Sequence, residues 1–248
     1  MSTSEPAVQR RSGLATAVDT IVSPAAAFAS LRVAPTWGWA FLIATVLGIV
    51  GSLLSGPAIM HALETSLPAQ LAANPGIAQL PPDQQQAAIA RGVAFAKIFS
   101  QFGFVFVPIG ILLASLVQAL IMLIANAATH GDGNFKKYFA LSINVSIVGA
   151  GLAQLVLGII VLVRGAGSFE TVSAVTSSIP GLGLLSNGHG AMAAFLGTIN
   201  IFSVWSIVLL ALGMTGVGRI SRVPAWVTAI IMLLLTAAFA AWGGARNG

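Results

Sequence analysis

Cysteine is absent from these 248 residues, tyrosine occurs once, and charge is scarce, with eleven Lys or Arg and six Asp or Glu. Without cysteine there is no disulfide, no thiolate metal site and no cysteine nucleophile, and the redox compartment is not written in the chain. Charged residues make up 7% of the sequence, about a quarter of the density usual in soluble domains, beside 57% hydrophobic residues and a mean hydropathy of +0.95. That combination excludes an ordinary water-soluble globule. The net charge of +5 does not make a nucleic-acid protein, because the cations stand in ones and twos beside apolar runs. No nucleic-acid partner is expected.

Five stretches, 33–63, 98–131, 138–163, 171–218 and 223–245, contain no Asp, Glu, Lys or Arg. An ionised side chain at the centre of a bilayer costs roughly 2.5 kcal/mol or more, so this sorting marks a polytopic all-α membrane protein. About 20 apolar residues cross the hydrocarbon core. Trimmed by turn residues and interfacial aromatics, the stretches predict a bundle of five spans near 38–60, 102–125, 138–163, 193–216 and 225–243. Residues 1–37 form an N-terminal segment, 38–243 the membrane domain, and 61–101 and 164–192 the long connections. The Ser- and Gly-rich run TVSAVTSSIPGLGLLSNGHG reads as an ordered loop before span four.

An odd number of crossings puts the termini on opposite sides. Arg10, Arg11, Arg32, Lys136, Lys137, Arg219 and Arg222 share one side, against Arg91, Lys97, Arg164 and Arg246 on the other. The positive-inside rule then predicts a cytoplasmic N-terminus and an external C-terminus. Trp37 and Trp39 open span one, Tyr138 opens span three, and Trp226 and Trp242 bracket span five, as interfacial aromatics do. The first apolar run begins too late and runs too long for a cleaved signal peptide.

Leu14, Val18, Ile21, Ala25 and Phe28 form one apolar stripe ahead of span one, and Ser23 followed by Pro24 reads as a cap and first helical position. Two short helices are expected, the second lying amphipathically in the membrane interface, Phe28 included, with Arg32 near the phosphates, or docked on the protein's own helices. Residues 61–101 are expected as two helical arms with a turn near 74–82, the second arm running straight into span two.

No span holds an internal Asp, Glu, Lys, Arg or His, which argues against proton coupling and charge-ring channels. Under this topology His130 faces away from His61 and His189, so no one metal site uses all three, and neither a metal nor any other cofactor is expected. No GxSxG, Walker or complete dinucleotide motif occurs, and no catalytic residue can be named. The polar residues that enter the spans are amides: Gln118, Asn126, Asn144, Gln154 and Asn200. Their default role is interhelical hydrogen bonding, the alternative a substrate path between spans two, three and four. Gly48, Ser52 and Gly56 form a small-residue ridge, and Trp205, mid-span, reads as a packing residue between helices or a ligand-stacking one.

The segments SPAAAFASL, PPDQQQ, HGDGNFKKYFALSINVS and INIFSVWSIVLLALG, in that order from Leu14 to Gly243, resemble the Yip family of five-span membrane proteins in its small prokaryotic form. The resemblance implies a five-helix bundle in a bacterial cytoplasmic membrane with a cytoplasmic N-terminus. Eukaryotic relatives are linked to Rab GTPases and vesicle traffic. That activity does not carry over, because an Asp-Leu-Tyr-Gly-Pro-type acidic motif is missing, and Val148 stands near the usual proline of span three. Residues and resemblance together predict a non-enzymatic scaffold or accessory subunit that binds lipids, other integral membrane proteins or itself. The alternative is a small-solute or lipid transporter using the amide-lined interface.

Overall fold

The structure, a computed structural model, describes residues 11–186 and 190–247. Its order is α1 (Gly13–Val22), α2 (Pro24–Val33), α3 (Gly38–Ala72), α4 (Pro82–Gln101), α5 (Val107–Ala128), α6 (Phe135–Arg164), α7 (Gly190–Gly197), α8 (Ile201–Gly218) and α9 (Arg222–Asn247), with shorter turns of helix between. Among the described residues there is no strand, only an isolated bridge between Gly181 and Asn200. Among the described residues five helices are long and apolar enough to cross a membrane: α3, Gly103–Ala128 around α5, α6, α8, and Arg222–Ala245 of α9. The protein is an all-α, multi-pass membrane protein.

Local chemistry sets the helix ends. Ser12 Oγ accepts from the Ala15 amide and starts α1. Ser23 makes no side-chain cap on α2; its own N–H closes α1 on the Asp19 carbonyl at 2.7 Å, and Pro24 starts α2. Asn134 Oδ1 accepts from the Lys137 amide and starts α6. The first apolar helix runs on to Ala72, well past residue 60, although Pro57 and Pro68 lie inside it. At 35 residues it is about 52 Å long, more than the roughly 30 Å hydrocarbon core. A 3-10 turn, Gly103–Phe106, separates α4 from α5, so the second arm does not run straight into the span. Span four begins at Ile201, not near 193, because Asn200 Oδ1 accepts from the Phe202 and Ser203 amides and starts a new helix there. Among the described residues, the non-glycine His130 and Arg219 take the left-handed conformation with φ of 54°.

The chain forms two compact units. The first comprises Met1–Thr45, Pro108–Ala150 and Val204–Leu233. At its centre lies the first half of α6, where Tyr138, Ala140, Leu141, Ile143 and Ile147 are fully buried. Glycine makes room for it: a Cβ on Gly213 would stand 2.3 Å from Leu141 Cδ1, and one on Gly218 would meet the Tyr138 hydroxyl at 2.0 Å. Phe28, expected in the membrane interface, is instead 2% exposed, with its Cβ against Gly216. That part of α2 is docked on the protein.

The second unit comprises Val46–Val107, Gly151–Ser203 and Leu234–Gly248. Its core gathers Ala58, Ala153, Leu157, Val161, Phe169, Val175 and Ile179, and the Arg164 guanidinium lies 4.7 Å from the Phe169 ring centre. Here α3 and α6 touch backbone to backbone. A Cβ on Gly51 would fall 2.2 Å from the Gln154 carbonyl oxygen, and one on Gly158 would fall 2.7 Å from that of Gly51. The ridge expected at Gly48, Ser52 and Gly56 is therefore displaced onto Gly48, Gly51, Ser55, Ala58 and Ala62, which are buried. Gly48 abuts Val107, whereas a Cβ on Gly56 would meet nothing within 4 Å. Gly51→Ala should lower stability by roughly 1–3 kcal/mol through overpacking. Gly56→Ala should gain about 0.5–1 kcal/mol from reduced backbone entropy. Tryptophan-fluorescence melting in detergent separates the two, and equal midpoints would count against this crossing.

Candidate functional site

The five amides expected to mark either helix packing or a path do not line one interface. Gln118 Oε1 accepts from the Ser142 hydroxyl, joining α5 to α6. Asn144, fully buried, donates to the Thr36 carbonyl at 2.9 Å and to the Ala140 carbonyl at 2.7 Å, while its Oδ1 has no partner. Gln154 donates to Ser55 Oγ at 3.3 Å, toward span one rather than spans two or four. Asn200 caps α8. Each is spent on the protein's own chain, as amides in lipid usually are.

Asn126 carries the densest network. Its Oδ1 accepts from the Tyr138 hydroxyl at 2.7 Å and the Gly133 amide at 2.9 Å, and its Nδ2 donates to the Gly131 and Gly133 carbonyls at 3.0 and 3.3 Å. The turn it holds is tied on by the Asp132 amide, which donates to the Gly218 carbonyl at 2.7 Å, and by Arg219 Nη1, 3.4 Å from Asp132 Oδ2. Tyr138 is thus a buried hinge pin of the turn, not an interfacial aromatic. Its ring enters because Gly133 and Gly218 carry no side chain.

Apart from buried Phe28, the other expected interface residues are exposed or half-buried. Trp37, Trp39, Trp226 and Trp242 are 39–57% exposed, and Trp37 packs edge-on to Phe41 and Phe139 with centroids 6.1 and 5.8 Å apart. Lys136 is exposed, Lys137 reaches the Asp132 carbonyl at 3.3 Å, and Arg32 at the end of α2 is half-buried. Trp205, expected between helices, points outward at 41% exposure because the buried face of α8 is set by Ile207, Leu210, Met214 and Val217. Among the described residues no three His, Asp or Glu gather as a metal would need. His189 lies outside the described residues.

The second unit holds a cleft of about 690 Å³ between α3, the C-terminal half of α4 and the Gly103–Phe106 turn. Leu53, Ile59, Met60, Leu63, Phe95, Phe99 and Phe104 wall it, and Ser52, Ser55 and Gln154 supply a few polar atoms. That size and lining suit a small apolar ligand. At its lip Phe95, Phe99 and Phe106 stack with centroids 6.4 and 5.3 Å apart, and all three are exposed. Just past Leu63 and Ala96, Lys97 Nζ pairs with Glu64 Oε1 at 2.7 Å. Sequence reasoning missed this cleft. Its signal was the helical spacing of Phe95, Phe99, Phe102 and Phe106 ahead of span two.

A Yip1 domain model matches residues 18–243. The chain is 29% identical to the membrane protein YknW of Bacillus subtilis (strain 168), across 98% of this chain and 97% of that one. No solved structure matches.

Tyr138→Phe removes one bond in this network and should cost about 0.6–2 kcal/mol. Asn126→Leu removes four and strands the Gly133 amide, so roughly 2–4 kcal/mol should be lost. Thermal melting of both variants orders them; an Asn126→Leu protein as stable as the parent would refute the hub.

Proposed function

The chain belongs to the Yip1 family of multi-pass membrane proteins, and on that premise we propose that it is a non-enzymatic scaffold or accessory subunit that works by binding lipids and other membrane proteins, or a second copy of itself. It sits in a bacterial cytoplasmic membrane with its N-terminus in the cytoplasm, the orientation that the distribution of Lys and Arg favours.

The observation that carries this reading is the fate of the span amides. A solute path needs polar groups turned toward a common channel, yet Gln118, Asn126, Asn144, Gln154 and Asn200 are each bonded to a different stretch of the protein's own chain. The rival transporter reading loses its lining. What remains available is surface, and α1 offers part of it. This helix buries Thr16, Ala17 and Thr20 and exposes Leu14, Val18, Ile21 and Val22. Thr16 Oγ1 lies 3.2 Å from Ser30 Oγ, and Thr20 Oγ1 donates to the Thr16 carbonyl at 2.9 Å, so the hydroxyls that face inward are satisfied there. A helix docked by its small polar face with its aliphatic face outward is suited to the acyl–headgroup boundary.

Gentle extraction from native membranes, with mass determination of everything that accompanies the protein, tests the proposal. The expected result is a companion integral membrane protein, or a second copy, in fixed ratio. A lone monomer that drives solute flux in liposomes would overturn it.

A further inference from the structure

The cleft of the second unit has a shape and a rim that name its occupant. Along α3 its lining runs from Ser52 to Leu63, a distance of about 16 Å at 1.5 Å per residue. Toward the inside the lining ends at Ser52, one helical turn from where Gly48 abuts Val107, and the outer end stops one residue short of the Glu64–Lys97 pair. A groove of this volume and apolar lining lies in the range of small-ligand sites. A docking helix, roughly 10 Å wide with its side chains, asks for more room than it offers.

Depth places the rim. Trp39 stands near the start of α3, and about 20 residues cross the hydrocarbon, so Glu64 falls a little beyond the far side, among lipid headgroups. The pair there is partly solvated, with side chains 53% exposed for Glu64 and 35% for Lys97. It presents one anion and one cation side by side. Among bilayer components the complement to that pair, joined to an apolar chain, is a zwitterionic phospholipid: phosphate toward Lys97, ammonium toward Glu64, one acyl chain along the cleft. Exposed ion pairs are held weakly, so exchanging partners with such a headgroup costs little.

We infer that the cleft between α3 and α4 is a binding site for one acyl chain of a phospholipid bearing a phosphate and an ammonium, with its headgroup on Glu64 and Lys97. The inference rests on the binding function proposed above and gives it a ligand.

The full chain is reconstituted in vesicles of phosphatidylethanolamine and phosphatidylglycerol, with a photoactivatable diazirine on the acyl chain of one lipid or the other, and adducts are mapped by mass spectrometry. Adducts from the ethanolamine lipid should concentrate on residues 52–63 and 95–104 about tenfold over the exposed Leu113 and Ile124 of α5, the preference that roughly 1.4 kcal/mol confers. Gly56 lines the cleft and has open space at its Cβ, so Gly56→Phe should fill it and bring these adducts down to the α5 level without lowering the melting midpoint. If that variant fails to melt cooperatively, Ser52→Leu fills the same space. The double variant Glu64→Gln, Lys97→Gln should equalise the two lipids.

Cleft labelling at the α5 level, or labelling that survives a filled cleft, overturns the site. Equal labelling of the parent by both lipids overturns the headgroup assignment. Protein cross-links from the cleft in place of lipid adducts would mean a partner helix holds it, and would also overturn the inference. Companion recovery is measured on the same preparations. An unlabelled cleft with a companion present sinks the lipid site alone, whereas a labelled cleft with neither companion nor second copy sinks the assembly reading and leaves the site standing.

Discussion

Lipid offers no hydrogen bond to a buried polar group, and α6 is the helix on which that constraint bears hardest. It is the third of the five spans in chain order, and in its first half nearly every residue from Tyr138 to Val148 is buried, polar ones included. Each of those polar groups therefore recruits a neighbour: the Tyr138 hydroxyl finds Asn126, Ser142 finds Gln118, and Asn144 reaches the Thr36 carbonyl ahead of α3. Such bonds act as position markers more than as a large store of stability, because each is worth on the order of 1 kcal/mol in a membrane. They fix which faces of α5 and α6 meet and tie the start of the first span to α6. Glycines then let helices close to contact distance on α6, Gly213 of α8 under Leu141 and Gly51 of α3 against the α6 backbone.

The number of spans was legible from charge alone, since an ionised residue is tolerated only near span ends. The approximate places of the helices followed from the same pattern. Which face of a helix points inward was much harder to read. In water the apolar face is the buried one, but lipid is as apolar as the core, so periodicity cannot separate a lipid-facing stripe from a packed one. The small residues of α3 show the difficulty. Gly48, Ser52 and Gly56 have helical spacing, and so do Gly48, Gly51 and Ser55; only the partner surface on α6 selects the second set. Trp205 and Tyr138 failed for the same reason in opposite directions, one turned to the outside and the other sealed within.

The candidate cleft was hidden for a further reason. It depends on α4 returning antiparallel beside α3, with Gly92 under Leu71 and Lys97 on Glu64, and neither long-range contact has a local signature. The amides were conspicuous in the sequence because they are costly in lipid, yet they mark joints. The cleft, lined by ordinary Leu, Ile, Met and Phe with a few polar atoms, drew no attention. In a membrane protein the residues that stand out by composition and those that can hold a ligand need not coincide.

His130 and Arg219 occupy backbone that an L-residue enters at a cost of roughly 1–2 kcal/mol and that glycine enters freely. Both lie by the turns tied together through Asp132, and Arg219 itself contributes to the tie. Directed evolution scored on heat resistance alone would accordingly drift toward glycine or asparagine at these two places, and at 219 it would shed a cation from a loop between two membrane helices. Thermal robustness and the distribution of Lys and Arg on which the proposed orientation rests thus pull on the same position in opposite directions.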